Sequence, residues 1–249
     1  LGYNGNYLGP VIKVNRYDEV TVHVSNNLND STSVHWHGLE VDGPEDGGPY
    51  QMIEAGGSWD PSFVVDQVAS TLWFHPHVMG TTATQVYLGL AGLFIVEDEN
   101  SKSLNLPDTY GVNDIPIILQ DRAFDQNGHF IYINSMDGAI GNRFMVNGAL
   151  NPYLDVNQVK MRFRIVNGAN ARNFNLHLSN NNSFMMIASD GGLLESPVNL
   201  KTLTLAPGER AEIIIDFSAY SKGDSIQLLT DSNQLLNFKI QDKANDTTL

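Results

Sequence analysis

Two histidine pairs stand out as residues that could do chemistry: His35-Trp36-His37 and His75-Pro76-His77. Each sits in a stretch that reads as β-strand. Side chains at i and i+2 on a strand share a face. His35 and His37 therefore point one way while Trp36 points the other, and His75 and His77 share the face opposite Pro76. If the two strands are neighbours, four imidazoles crowd one patch. Neutral imidazole ligates copper, zinc, iron and nickel. Without thiolates or an evident carboxylate ring, copper or zinc leads. Pro76 cannot donate to a ladder, so its strand is expected to lie at an edge or to end there. The remaining histidines read as surface residues. His23 is on the polar face of a strand, His129 is in an Asn-Gly turn, and His177 alternates with Leu176 and Leu178.

The elements that must hold these histidines are mostly short strands. Val11–Val14, Glu19–Val24, Val34–Leu39, Ser62–Val65, Thr71–His75 and Gly92–Val96 carry apolar or alternating patterns, and Gly, Asn and Asp clusters separate them. Helix is nearly absent, although Thr84–Leu90 could form a short turn or helix. Residues 97–113 are polar and contain Pro107, which suggests a linker. A second strand set starts at Ile115–Leu119. It continues through Phe130–Ile133, Phe144–Val146, Met161–Val166, Asn173–Leu178, Phe184–Ile187, Thr202–Leu205, Ala211–Phe217 and Ser225–Leu229. The polar tail Asp242–Leu249 reads as a linker leading out. The expected architecture is all-β, with two tandem β-sandwich domains spanning 1–105 and 106–249.

Composition narrows the function. The 249 residues carry a net charge of -14. In the first hundred, Lys13 and Arg16 face thirteen carboxylates. Such a surface repels nucleic acid and anionic membrane. No apolar run approaches the roughly 20 residues of a membrane-spanning helix. The chain has no cysteine, which excludes disulfides, thiolate metal sites and cysteine nucleophiles.

The residues around the histidines closely resemble the multicopper oxidases, the cupredoxin-fold group of laccases and bacterial cuprous oxidases. The likeness runs through Gly2-Tyr3-Asn4-Gly5, Leu8-Gly9-Pro10, His35 to Glu40, Asp46-Gly47-Gly48-Pro49, Trp73 to His77 and Gly89 to Leu93. In the second half it includes Leu119-Gln120-Asp121, Val146-Asn147-Gly148, Arg164 to Gly168, Asn170-Ala171-Arg172 and Ala188 to Gly192. The bacterial copper-efflux oxidases look nearest. The resemblance implies Greek-key cupredoxin domains and copper. His35 would bind a type 2 copper, and His37, His75 and His77 a type 3 pair, as half of a trinuclear cluster. Asp46 would relay protons to dioxygen as it is reduced to water; an Asx residue shaping the Asp-Gly-Gly-Pro turn is the plainer role. Some relatives carry His or Gln shortly after the second pair, at a position that is not a ligand, where this chain has Val78-Met79-Gly80.

The resemblance also shows what this sequence lacks. Relatives complete the cluster from a third cupredoxin domain, whose cysteine builds a type 1 copper site. That cysteine and the other two histidine motifs are absent here, and the two-domain nitrite reductases need the cysteine as well. The start looks clipped, since relatives have more strand sequence ahead of Gly2. The expectation is an N-terminal two-domain portion of an oxidase acting on Cu(I) or small organic reductants with dioxygen, and inactive alone. The alternatives are a four-histidine copper or zinc module and a non-catalytic cupredoxin-fold protein such as the superfamily's copper-free cell-division member. Uncovering the face of a missing third domain favours a homo-oligomer. Family and absent cysteine weakly favour an extracytoplasmic location.

Overall fold

The computed structural model describes residues 1–133 and 135–242. Of the polar tail, residues 243–249 lie outside the described residues. Two compact units are present: Leu1–Leu104 with Asp190–Leu193, and Asn105–Ser189 with Leu194–Leu249. Both are cupredoxin-like β-sandwiches. No helix among the described residues is long and apolar enough to cross a membrane.

In the first unit the chain order is β1 (Val11–Asn15), β2 (Glu19–Thr21), β3 (Val24–Ser25), β4 (His35–His37), β5 (Ser58–Trp59), β6 (Ser62–Val64), β7 (Ser70–His75), α1 (Thr82–Tyr87), β8 (Gly92–Glu97) and α2 (Glu99–Ser103). One sheet runs β1-β8-β7-β4; the opposing layer consists of the pairs β2-β6 and β3-β5. β1 lies parallel to β8, and the other neighbours are antiparallel. Trp36, Leu72, Phe74, Phe94 and Val96 point inward from the sheet, against Val20, Val22, Val24, Trp59 and Phe63 from the other layer. Trp36 is 1% exposed and its indole N–H donates to the Glu45 carbonyl at 3.0 Å. Gly92 faces Phe74 in the ladder, and a Cβ there would lie 2.2 Å from the Phe74 ring. A Cβ would overlap that ring, so the close approach requires glycine.

Several expectations need correcting. The alternating run Glu19–Val24 is not one strand. It breaks after Thr21, where Val22 N–H bonds the Pro61 carbonyl at 3.0 Å but Pro61 has no N–H to return. β7 does end at His75, ahead of Pro76, but it is an interior strand between β8 and β4. The supposed linker after residue 97 begins with a helix. Asp98 caps α2 through a reciprocal box with Ser101 and also accepts the Ala69 N–H at 2.9 Å. The helical segment before β8 starts at Thr82, two residues earlier than Thr84.

In the second unit one sheet is ordered Ala149–Leu150, Arg143–Val146, Asp114–Phe124, Lys160–Asn167, Arg210–Asp216, Phe184–Ser189 and Gly192–Leu200, with Phe130–Ile131 paired to Asp114–Phe124. The other is ordered Tyr153–Val156, Asn233–Ile240, Ser225–Thr230, Phe174–Leu178 and Leu203–Leu205. The apolar run at 115 extends from Asp114 to Phe124, whereas the run at 130 supports only Phe130–Ile131. Gly192–Leu200 escaped the sequence reading because it contains Pro197 and is largely exposed, with no period-two pattern. Asn233–Ile240 escaped because Leu235 and Leu236 are both buried, breaking the alternation next to an irregular register. Beside the apolar core, Arg164 bonds Asp114 at 2.8 Å and Glu212 at 3.1 Å, and Arg162 also bonds Glu212; all four are buried.

Candidate metal centre

β4 and β7 are directly hydrogen-bonded neighbours, and their register sets the site. His35 stands opposite His75, Trp36 opposite Phe74, and His37 opposite Trp73. Period-two alternation then puts His35, His37, Trp73 and His75 on one face and sends Trp36 and Phe74 into the core. Donor atoms of His35, His37 and His75 all lie within 4.8 Å of one another. His77 stands beyond the end of β7 and outside that trio. Its ring lies 4.9 Å from that of His35, edge on, and 6.1 Å from that of His75. Its main-chain N–H donates to Ser33 Oγ at 2.8 Å. α1 braces the strand leading into β4, since Gln85 accepts from Thr32 Oγ1 and donates to the Ser31 carbonyl, both at 2.8 Å.

The hydrogen bonds select tautomers. His75 Nδ1 lies 2.7 Å from the Pro76 carbonyl, which can only accept, so Nδ1 carries the proton and Nε2 keeps its lone pair. His35 Nδ1 lies 3.0 Å from the Asp46 carbonyl and 3.2 Å from its carboxylate Oδ1, again leaving Nε2 as the free donor atom. His37 differs: its Nδ1 is 3.0 Å from His75 Nε2. Burial drives the His75 pKa down to about 3, and the neighbouring histidines push the same way against the Pro76 carbonyl. His75 is therefore neutral at ordinary pH, as a ligand must be.

Asp46 reaches His35 because of the turn before Gly47. A 3₁₀ turn, Gly43–Glu45, brings the chain back over β4, and Gly47 adopts φ +68° with Val34 O only 1.8 Å from where a Cβ would be. No side chain fits at that approach. The Asp46 carboxylate is about one-third exposed, at 31%. His23 and His129 are exposed and paired with Asp60 and Asp125 at 2.9 and 3.2 Å. His177, on the strand Phe174–Leu178, lies in the second unit.

The donor set fits copper: three converging imidazoles, two with the tautomer fixed by main-chain carbonyls, one buried and held neutral. Sequence reasoning missed those two carbonyls, which have no side-chain signature. It also missed Trp73, which the same period-two rule that pairs the histidines puts on their face. Trp73 is 5% exposed, with its ring centroid 4.1 Å from that of His75 and 5.2 Å from that of His37.

Comparison with known proteins identifies the family. Two family models described as multicopper oxidase match residues 1–101 and 97–225. The chain is 47% identical over 237 residues to a multicopper oxidase of Staphylococcus haemolyticus, covering 95% of this chain and 52% of that protein. It is 42% identical over 228 residues to the cell division protein FtsP of Escherichia coli, covering 91% and 48%. A laccase structure from Pediococcus acidilactici superposes with a TM-score of 0.94 at 40% identity, over 100% of this chain and 54% of that one. The chain spans about half the length of the curated relatives it matches. It belongs to the multicopper oxidase family, whose cofactor is copper.

Proposed function

We propose that this chain supplies the first two cupredoxin domains of an oxidase that couples oxidation of Cu(I) or small organic reductants to reduction of dioxygen to water. In this reading His35 ligates type 2 copper, and His37, His75 and His77 ligate the type 3 pair. A third cupredoxin domain bearing a cysteine supplies the type 1 site and the other half of the cluster. The observation that carries the reading is the convergence of the His35, His37 and His75 donors on one face.

Copper bound there supplies the electron transfer to dioxygen. The chain's own groups prepare the site. Asp46 and Pro76 carbonyls hold the proton on Nδ1 of His35 and His75, leaving the lone pair on Nε2 of each. Burial keeps His75 neutral. The Asp46 carboxylate touches His35 Nδ1 at 3.2 Å and also meets solvent, so it can take a proton from water and pass it into the site. This role keeps Asp46 apart from the ligands.

Copper titration of the 249-residue chain, with an oxygen electrode alongside, tests the reading. Saturable binding lost in the His35→Ala/His75→Ala double variant, with no oxygen uptake by the chain alone, is expected. Copper binding no tighter in the parent than in the double variant overturns it. A second reading, a non-catalytic member, draws on the similarity to FtsP; the same titration separates the two. Oxygen uptake by the isolated chain would instead favour a site complete in itself.

A further inference from the structure

We propose that Ser33 is a positioning residue that holds His77 beside His35. The inference rests on the reading of His77 as a copper ligand. The two histidine pairs are held differently. His35 and His37 both lie within β4, whereas only His75 of the second pair lies within β7. β4 begins at His35 and β7 ends at His75, so the ladder between them stops at that rung. Pro76 follows and has no N–H to carry the ladder on. His77 is the first residue past it with a main-chain donor.

Extended by two residues, the register that pairs His35 with His75 puts Ser33 across from His77. The contact there is made by a side chain: the His77 N–H donates to Ser33 Oγ at 2.8 Å. The serine hydroxyl thus stands in for a main-chain acceptor just beyond the ladder. Ser33 is buried, at 0% exposure. Its own segment is fixed from elsewhere. Thr32 exchanges two main-chain hydrogen bonds with Ile53, at 3.0 and 2.8 Å, and its hydroxyl donates to Gln85 on α1. Gln85 also donates to the Ser31 carbonyl. The acceptor is therefore anchored independently of the histidines.

The rings show what the tether holds together. His77 has left β7, yet its imidazole lies 4.9 Å from that of His35, edge on, and 6.1 Å from that of His75. Strand alternation cannot set that position, because the strand has ended. Without Oγ the His77 N–H loses its acceptor, and a main-chain donor left unpaired away from water is unfavourable. The segment after Pro76 should then turn to find another partner and carry the imidazole with it.

Three variants of the full chain test this, each checked for folding by circular dichroism. Ser33→Ala removes the acceptor, Ser33→Thr keeps it, and Ser33→Val has the shape of threonine without the oxygen. In the metal-free chain, NMR reads hydrogen exchange at the His77 amide and the through-space contact between the His35 and His77 rings. Ser33→Ala and Ser33→Val should speed that exchange and lose the ring contact; Ser33→Thr should keep both. With copper alone as the probe, Ser33→Ala should lose about tenfold in affinity, the scale of outer-shell support in metal sites. Added to His77→Ala it should lose nothing further, because a residue acting through His77 has no effect once His77 is gone. An equal loss with and without His77 overturns the proposal, since the effect would then come through the fold. So does parental copper affinity or an intact ring contact in Ser33→Ala, or Ser33→Val matching Ser33→Thr. If Ser33→Ala and Ser33→Val do not fold, the parent and Ser33→Thr decide. A slow His77 amide and the ring contact in both support the proposal, and the absence of either overturns it. Failure of the parent to bind copper falls on the copper reading, while the metal-free measurements still report whether Ser33 holds His77.

Discussion

His37 Nδ1 faces His75 Nε2 across two neighbouring strands at 3.0 Å. His75 Nε2 keeps its lone pair, so it accepts in that contact and His37 Nδ1 donates, and both residues belong to the converging trio. His37→Ala should weaken copper binding by about 100-fold or more, beyond what loss of outer-shell support gives. His77→Ala should cost less in the isolated chain, because His77 stands outside the converged trio. Competition titration against a chelator of known affinity reads both.

Asp46 touches His35 through two oxygens, and only one belongs to its side chain. Asp46→Asn leaves the main-chain carbonyl in place, so copper affinity of the chain should change by less than about threefold, well short of a ligand loss. In a complete oxidase the same substitution should slow dioxygen reduction, most at high pH where protons are scarce. Unchanged oxygen uptake across pH in Asp46→Asn would remove the proton-relay role.

Gly47→Ala should be among the most damaging conservative changes in the first unit. The left-handed backbone alone costs about 1–2 kcal/mol for a residue with a Cβ. The clash with Val34 O comes on top and pushes Asp46 away from His35. A lower melting temperature together with a shifted His35 imidazole signal is the expected result.

The capping carboxylate of Asp98 gives a pH dependence with a definite sign. Partial burial works to raise its pKa, but the Ala69 and Ser101 N–H groups bond the carboxylate and the net shift is downward from 3.8. A depressed pKa contributes stability that is present above 3.8 and is lost as pH falls below that value. Asp98→Asn should flatten the acid limb of the stability curve, and Asp98→Ala should lose about 1 kcal/mol of cap stabilisation at neutral pH. Urea melts from pH 2 to pH 7 measure both.

In the second unit, Glu212 accepts from Arg162 and Arg164 in a buried network with Asp114. Glu212→Gln leaves two buried guanidiniums sharing the single carboxylate of Asp114, and breaking a buried pair typically costs about 3–5 kcal/mol. A clear fall in the urea midpoint of the second unit is expected. The first unit's copper binding should be unaffected, since the histidine trio lies wholly in the other unit.

The spacing His-X-His was enough to place His35 and His37 on one strand face, because side-chain alternation in a strand is a local rule; it did not place His77, which falls beyond the end of β7. The flanking residues, from Gly2-Tyr3-Asn4-Gly5 to Trp73-Phe74-His75-Pro76-His77, carried the family, and the run of short strand patterns carried the all-β class. The strands around the histidines were legible for the same reason: short apolar alternation bounded by turn residues. Where the strand pattern failed, a specific partner had decided. Pro61 broke the Glu19–Val24 run from across a sheet, and Asp98 made a helix of a polar stretch by capping it. Only the tertiary structure set the β4–β7 register that puts His35 opposite His75 and Trp73 beside them, because register depends on which strands meet. It alone supplied the carbonyls of Asp46 and Pro76 that choose the tautomers, since main-chain acceptors are common to every residue and gain meaning only where the fold aims them.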